Sequence, residues 1–135
     1  MDKHLSVRRL SSQDKDIPIV ISGGDEEFIR KLDAVIRDNI SDPELSNERI
    51  ASELFISKTS LVRKVKGLLG TTPGDYVRTV RLNLAARMLQ KDGTRISDVC
   101  YAVGFNTPSY FAKCFKRQFG LLPAEYIRQN KEKQS

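Results

Sequence analysis

The sequence predicts an all-α chain of about seven helices, built as two helix-turn-helix subdomains joined by a long central helix. Three observations carry this. Apolar residues recur at helical spacing in successive segments from residue 25 onward. Proline and glycine fall between those periodic runs rather than inside them. The second half of the chain repeats the first at a nearly constant offset.

Residues 1–24 read as an arm or linker. Arg8, Arg9 and the stretch 11–16 are polar and mixed in charge. Ile17-Pro18-Ile19-Val20-Ile21 is apolar but interrupted by proline, which fits an edge strand, an extended arm on a groove, or a linker. Gly23-Gly24 punctuates. Asp25-Glu26-Glu27 then opens a helix, with acid in the first turn opposing the positive end of the helix dipole. Its expected inner face is Phe28, Leu32, Val35 and Ile36.

Ser46 is the expected cap of the next helix, with Leu45 and Ile50 as a hydrophobic staple. Ile50, Ala51 and Leu54 form its inner face, and Phe55-Ile56 is the turn. Ser57 caps a third helix whose inward residues are Leu61, Val65 and Leu68 and which ends at Gly70. Thr72-Pro73-Gly74-Asp75 is a capping-box sequence with proline at the first helical position. It opens the longest helix, residues 73–90, spanning about 27 Å. Tyr76, Val77, Val80, Leu82, Leu84, Ala85, Met88 and Leu89 cover more than one stripe of it, as expected of a helix buried on two sides.

Ile96, Val99, Cys100 and Val103 share one face of a short helix, and Gly104 supplies a tight turn. Thr107-Pro108 starts a longer helix that keeps Phe111, Cys114, Phe115 and Phe119 together and stops at Gly120. A last helix runs from Pro123 to about Gln129, and residues 131–135 form a polar tail. The expected division is therefore 1–24 arm, 25–72 first helix-turn-helix subdomain, 73–91 central helix, 92–130 second subdomain, 131–135 tail.

The repeat sharpens this reading. Ile50, Ala51, Leu54 and Ile56 recur 49 positions later as Val99, Cys100, Val103 and Phe105. Leu61, Arg63, Val65, Lys66, Gly70, Pro73, Tyr76 and Arg78 recur 50 positions later as Phe111, Lys113, Phe115, Lys116, Gly120, Pro123, Tyr126 and Arg128. Chance apolar matches are common in helical proteins; glycine, proline, tyrosine and arginine matched at one offset are not.

The formal net charge of +6 favours an anionic partner, nucleic acid ahead of membrane. An enzyme is not expected. The single histidine, His4, lies in the arm, away from any nucleophile, and there is neither a cysteine–histidine metal cluster nor a phosphate-binding glycine loop. No cofactor or metal is called for. Cys100 and Cys114 both sit on apolar faces and read as buried small hydrophobes in a reducing compartment. No secretory signal is visible and no apolar run approaches membrane-spanning length, so no membrane contact and a cytoplasmic location are expected.

Helical geometry then selects candidate contact residues. With about 100° per residue, Thr59, Arg63 and Lys66 oppose the inner face of the first recognition helix. In the second, Ser109, Lys113, Lys116 and Arg117 oppose Phe111 and Phe115. The N-terminal half of a recognition helix enters the major groove first, which picks Thr59 and Arg63, and Ser109 and Lys113, as base readers. Arginine takes both acceptors of a guanine, serine and threonine are less selective, and Val62 and Ala112 are placed to meet a thymine methyl. Lys66, Lys116 and Arg117 lie further along and suit phosphates. Ser57, Lys58 and Thr107 join them at the helix starts, where free N–H groups favour anions.

The run Ile96-x-Asp98-Val99-Cys100-x-x-Val103-Gly104-Phe105, followed by Tyr110-Phe111-x-x-x-Phe115-Lys116-x-x-x-Gly120-x-x-Pro123-x-x-Tyr126, resembles the DNA-binding domain of AraC/XylS-type transcriptional regulators. Ile50-Ala51, Ser57, Leu61-x-Arg63 and Gly70-x-Thr72-Pro73 resemble it too, as does Arg81-Leu82-x-x-Ala85-x-x-Leu89. The likeness covers residues 25–130. Two positions depart from the family pattern: Leu122 replaces a capping serine or threonine, and Asn47 an apolar residue.

The resemblance implies sequence-specific binding of double-stranded DNA and transcription regulation, by family analogy activation with RNA polymerase as partner. It implies two recognition helices in successive major grooves, their separation set by the central helix. Base contacts would fall on Thr59, Val62 and Arg63, and on Pro108, Ser109, Tyr110 and Lys113. The alternative is a helical protein-interaction module, which would need apolar anchors on faces that here are basic and polar. Residues 1–24 are too short for a sensor, so the chain reads as the output segment of a longer protein, behind a sensor or a receiver domain, in preference to a small stand-alone regulator.

Overall fold

The computed structural model describes residues 23–134, and the arm 1–22 lies outside them. Seven helices and no strand occur among the described residues: α1 Gly23–Asp38, α2 Asn47–Glu53, α3 Lys58–Leu69, α4 Pro73–Met88, α5 Ile96–Ala102, α6 Pro108–Phe119 and α7 Pro123–Gln134. They form two compact units. One takes in α1 and Ser46–Tyr76; the other takes in Asn39–Leu45 and the chain from Val77 on.

The first unit closes around Leu32 and Ile36 of α1, Ile50 and Ala51 of α2, and Leu61 and Val65 of α3, all buried. Two inner faces differ from the expected ones by one residue. Ile29, not Phe28, enters the core from α1, and Leu69, not Leu68, does so from α3. Both exchanges are between the third and fourth neighbours of a buried residue, Leu32 or Val65, which flank the same helix face on either side. Phe28 stays half-buried and carries the Lys64 ammonium 5.4 Å from its ring centre. Tyr76, at the start of α4, belongs to this unit, and its hydroxyl donates to Asp33 Oδ1 at 2.6 Å.

The second unit is built on an aromatic row. Phe111 and Phe115 of α6 are fully buried, with ring centres 5.8 Å apart. Phe105 meets Phe111 edge-on at 5.2 Å, and Tyr126 of α7 meets Phe115 at 5.4 Å. Such offset and edge-to-face pairs add to the stabilisation from burial. Leu82, Ala85 and Leu89 line this core together with Val99, Cys100 and Val103. Both cysteines are free thiols and buried, and burial in apolar surroundings raises the Cys100 pKa.

The repeat seen in the sequence is a repeat of backbone hydrogen bonds. Just after α2 the N–H of Ile56 reaches back to the Ala51 carbonyl and that of Phe55 to Ser52. Just after α5 the N–H of Phe105 reaches Cys100 and that of Gly104 reaches Tyr101. These are two Schellman ends, each with its αL residue in register. The recognition helices end alike, Gly70 donating to Lys66 and Gly120 to Lys116, both glycines left-handed.

The ends of three other helices correct the expectation. Gly23 and Gly24 form the first turn of α1 instead of preceding it. Helix α4 closes at Met88, two residues early, and α7 runs on to Gln134 instead of stopping near Gln129. Leu122 provides no side-chain cap for α7, yet Glu125 Oε1 accepts its backbone N–H at 2.8 Å, the returning half of a capping box.

Candidate nucleic-acid interface

Each unit presents one helix by the same local logic. Helix α3 is held by its buried stripe of Leu61, Val65 and Leu69, and α6 by Phe111, Cys114 and Phe115. The caps fix where each helix begins. Ser57 Oγ accepts the Ser60 N–H at 3.0 Å, and Thr107 Oγ1 accepts the Tyr110 N–H at 3.3 Å. Such caps contribute about 1 kcal/mol each. With phase and start fixed, the outward residues are fixed too.

On α3 the outward residues are Lys58, Thr59, Val62, Arg63 and Lys66, all exposed. On α6 they are Pro108, Ser109, Tyr110, Lys113, Lys116 and Arg117, also all exposed. Apart from Ala112, every residue read from the sequence as a base or phosphate contact is therefore at the surface, grouped by helix. Ala112, a thymine-methyl candidate, is half-buried. Tyr110 is 49% exposed although its ring leans on Phe105 with centres 5.9 Å apart, so it is supported from below and open above.

Neither recognition helix contains an acidic residue, whereas α3 carries Lys58, Arg63, Lys64 and Lys66, and α6 carries Lys113, Lys116 and Arg117. Three of the candidate phosphate-binding side chains are already engaged in part. Ser57 and Thr107 spend an acceptor lone pair on their caps, which leaves the hydroxyl proton free to donate. Lys58 donates to Glu48 Oε2 at 2.8 Å, across the turn between α2 and α3. The Lys58 hydrogen bond, followed by backbone donation at Glu48 itself and the lysine charge, holds the Glu48 carboxyl below its ordinary pKa. Glu48 was not among the residues singled out from the sequence. A glutamate in the first turn of a helix reads as a dipole partner, and nothing local shows that it meets a lysine ten residues on.

Among the described residues no group of His, Cys, Asp and Glu is arranged to hold a metal ion, and no helix is long and apolar enough to cross a membrane. A family model described as a helix-turn-helix domain matches residues 50–129. That match takes in both presented helices and α4 between them. The chain belongs to the AraC-type helix-turn-helix family.

Proteins of varied length resemble it over this stretch. A histidine kinase, P4, of Formosa agariphila is 34% identical over 108 residues, which is 80% of this chain and 8% of the kinase. The HTH-type transcriptional regulator MtrA of Neisseria gonorrhoeae is 28% identical over 131 residues, covering 96% of this chain and 43% of the regulator. The crystal structure of a transcriptional regulator of Chromobacterium violaceum, with an AraC-type DNA-binding domain, superposes with a TM-score of 0.74 at 29% identity, over 81% of this chain and 96% of that one. The AraC-type chain thus spans less than half the length of these curated relatives. The matched family is a DNA-binding domain family, not a family of enzymes.

Proposed function

We propose that this AraC-type chain binds double-stranded DNA sequence-specifically and is the output segment of a transcription regulator, acting as an activator. The observation that supports this most is the pair of capped, acid-free, basic helices, each presenting a short hydroxyl side chain, Thr59 or Ser109, in its first turn. Thr59, Val62 and Arg63 read one major-groove segment; Pro108, Ser109, Tyr110 and Lys113 read a second, about one helical turn away. Ser57, Lys58, Lys66, Thr107, Lys116 and Arg117 hold phosphates and set register.

The chain acts in the cytoplasm, where RNA polymerase is its partner on the promoter. An upstream sensor or receiver domain controls it; the histidine kinase of Formosa agariphila, of which the matching stretch is a small part, supports that arrangement. Duplex binding followed by fluorescence anisotropy over a range of salt concentrations tests the reading. The logarithm of the association constant should fall linearly with the logarithm of salt, at close to 0.9 per phosphate neutralised. Binding that is absent at low salt, or indifferent to salt, contradicts it.

A further inference from the structure

The two units differ at one place that bears on affinity. In the first, the cation at the very start of the recognition helix is taken: Lys58 Nζ lies 2.8 Å from Glu48 Oε2. Both side chains are more than half exposed, so the pair is held by geometry and not by burial. Glu48 is anchored in the first turn of α2, just inside the Ser46 cap, and Lys58 is the first residue of α3, just inside the Ser57 cap. The Schellman turn through Phe55 fixes the two caps relative to each other. In the second unit the repeat puts Ser97 in the place of Glu48 and Pro108 in the place of Lys58. No such pair can form there.

A lysine at the first position of a recognition helix sits where a phosphate meets the free N–H groups of the helix end. A carboxylate on that lysine competes with the phosphate for the same ammonium. We infer that Glu48 is an affinity-setting residue, an internal competitor that holds Lys58 away from the DNA backbone until a phosphate displaces it. This rests on the DNA-interface reading above. Because a phosphate contact carries no sequence information, releasing Lys58 strengthens binding to specific and unrelated duplex alike and lowers the ratio between them little. Glu48 thus restrains the first unit's non-specific affinity without touching its base readers.

The test is a salt series of anisotropy titrations on four versions of the full chain: the parent, Glu48→Gln, Lys58→Ala and the double variant. Glu27→Gln is the control. It removes the same charge and frees Lys31, a lysine on α1. Each chain is titrated with a duplex that the parent has selected from a random pool and with a scrambled one. Glu48→Gln is expected to tighten both about two- to five-fold, the range an exposed pair allows, at a salt slope close to the parent's, because Lys58 reaches a phosphate in both complexes. The gain should vanish in the Lys58→Ala background, and Glu27→Gln should leave the affinity close to the parent's. If Glu48→Gln matches Glu27→Gln, net charge explains the effect and the competitor role is wrong. Weaker binding by Glu48→Gln also overturns it, because the intact pair would then be positioning Lys58 on the DNA. Salt-insensitive binding by the parent overturns the DNA-interface reading itself, and this inference with it.

Discussion

Phe55 and Gly104 hold the same left-handed turn position in the two repeats, with φ of 59° and 92°, although one is the bulkiest kind of residue for that conformation and the other the smallest. Their surroundings account for the difference. A Cβ on Gly104 would collide with the Ile40 carbonyl oxygen and come within 2.7 Å of the Arg81 guanidinium carbon. Arg81 Nη2 in turn donates to the Asp42 carbonyl at 2.7 Å, so the residue 39–45 segment is locked over this turn within the second unit. Phe55 projects into solvent, 93% exposed.

Replacing Phe55 should therefore stabilise. Left-handed backbone costs a non-glycine residue about 1–2 kcal/mol, and an exposed ring returns little of that through burial. Phe55→Gly is expected to raise the unfolding free energy by about 1 kcal/mol, read as a higher urea midpoint at unchanged m-value. A loss of stability would show that the ring packs on something in solution.

Gly104 should not tolerate the smallest side chain. Gly104→Ala adds backbone strain and a clash with main chain, for an expected cost above about 2 kcal/mol. Gly120→Ala is the comparison, since Gly120 is also left-handed but has open space around its Cβ position. It should cost about 1–2 kcal/mol. Equal losses for the two variants would remove the close approach from the account.

Leu122 marks a cap that is half made. Leu122→Thr supplies an acceptor for the N-terminal N–H groups of α7 while Glu125 keeps its returning bond. A gain of about 0.5–1 kcal/mol is expected, with greater amide protection in the first turn of α7. Unchanged protection would mean that Glu125 alone secures that turn.

Base and phosphate contacts separate by their dependence on sequence. Arg63→Ala should weaken binding to an enriched site by about 1–3 kcal/mol and relax preference at one base pair. Lys116→Ala should weaken all duplexes alike and reduce the salt slope by about one. Parallel titrations on matched and single-mismatch duplexes distinguish them, and a uniform loss on Arg63→Ala would move that side chain from the bases to the backbone.

What could be read from the sequence was what local chemistry decides. Ser46, Ser57, Thr72 and Thr107 cap through their own side chains within three residues, so their roles follow from spacing. Leu61, Val65, Phe111 and Phe115 are buried as their period demands, and that period also left the charged faces outward. The inner face shifted by one position where Ile29 replaced Phe28 and Leu69 replaced Leu68. What could not be read was what distant chain decides. The Ile40 carbonyl over Gly104 and the Glu48–Lys58 pair both join elements whose approach is set by packing, not by pattern.

The central claim is that two presented helices read two major-groove segments of one duplex. Selection of binding sites from a random pool of duplex DNA by the full chain, at near-physiological salt, tests it most directly. The account predicts enrichment of a bipartite motif whose halves lie about 10 base pairs apart. Recovery of a pool with no enriched motif, or with only a single half-site, would contradict it.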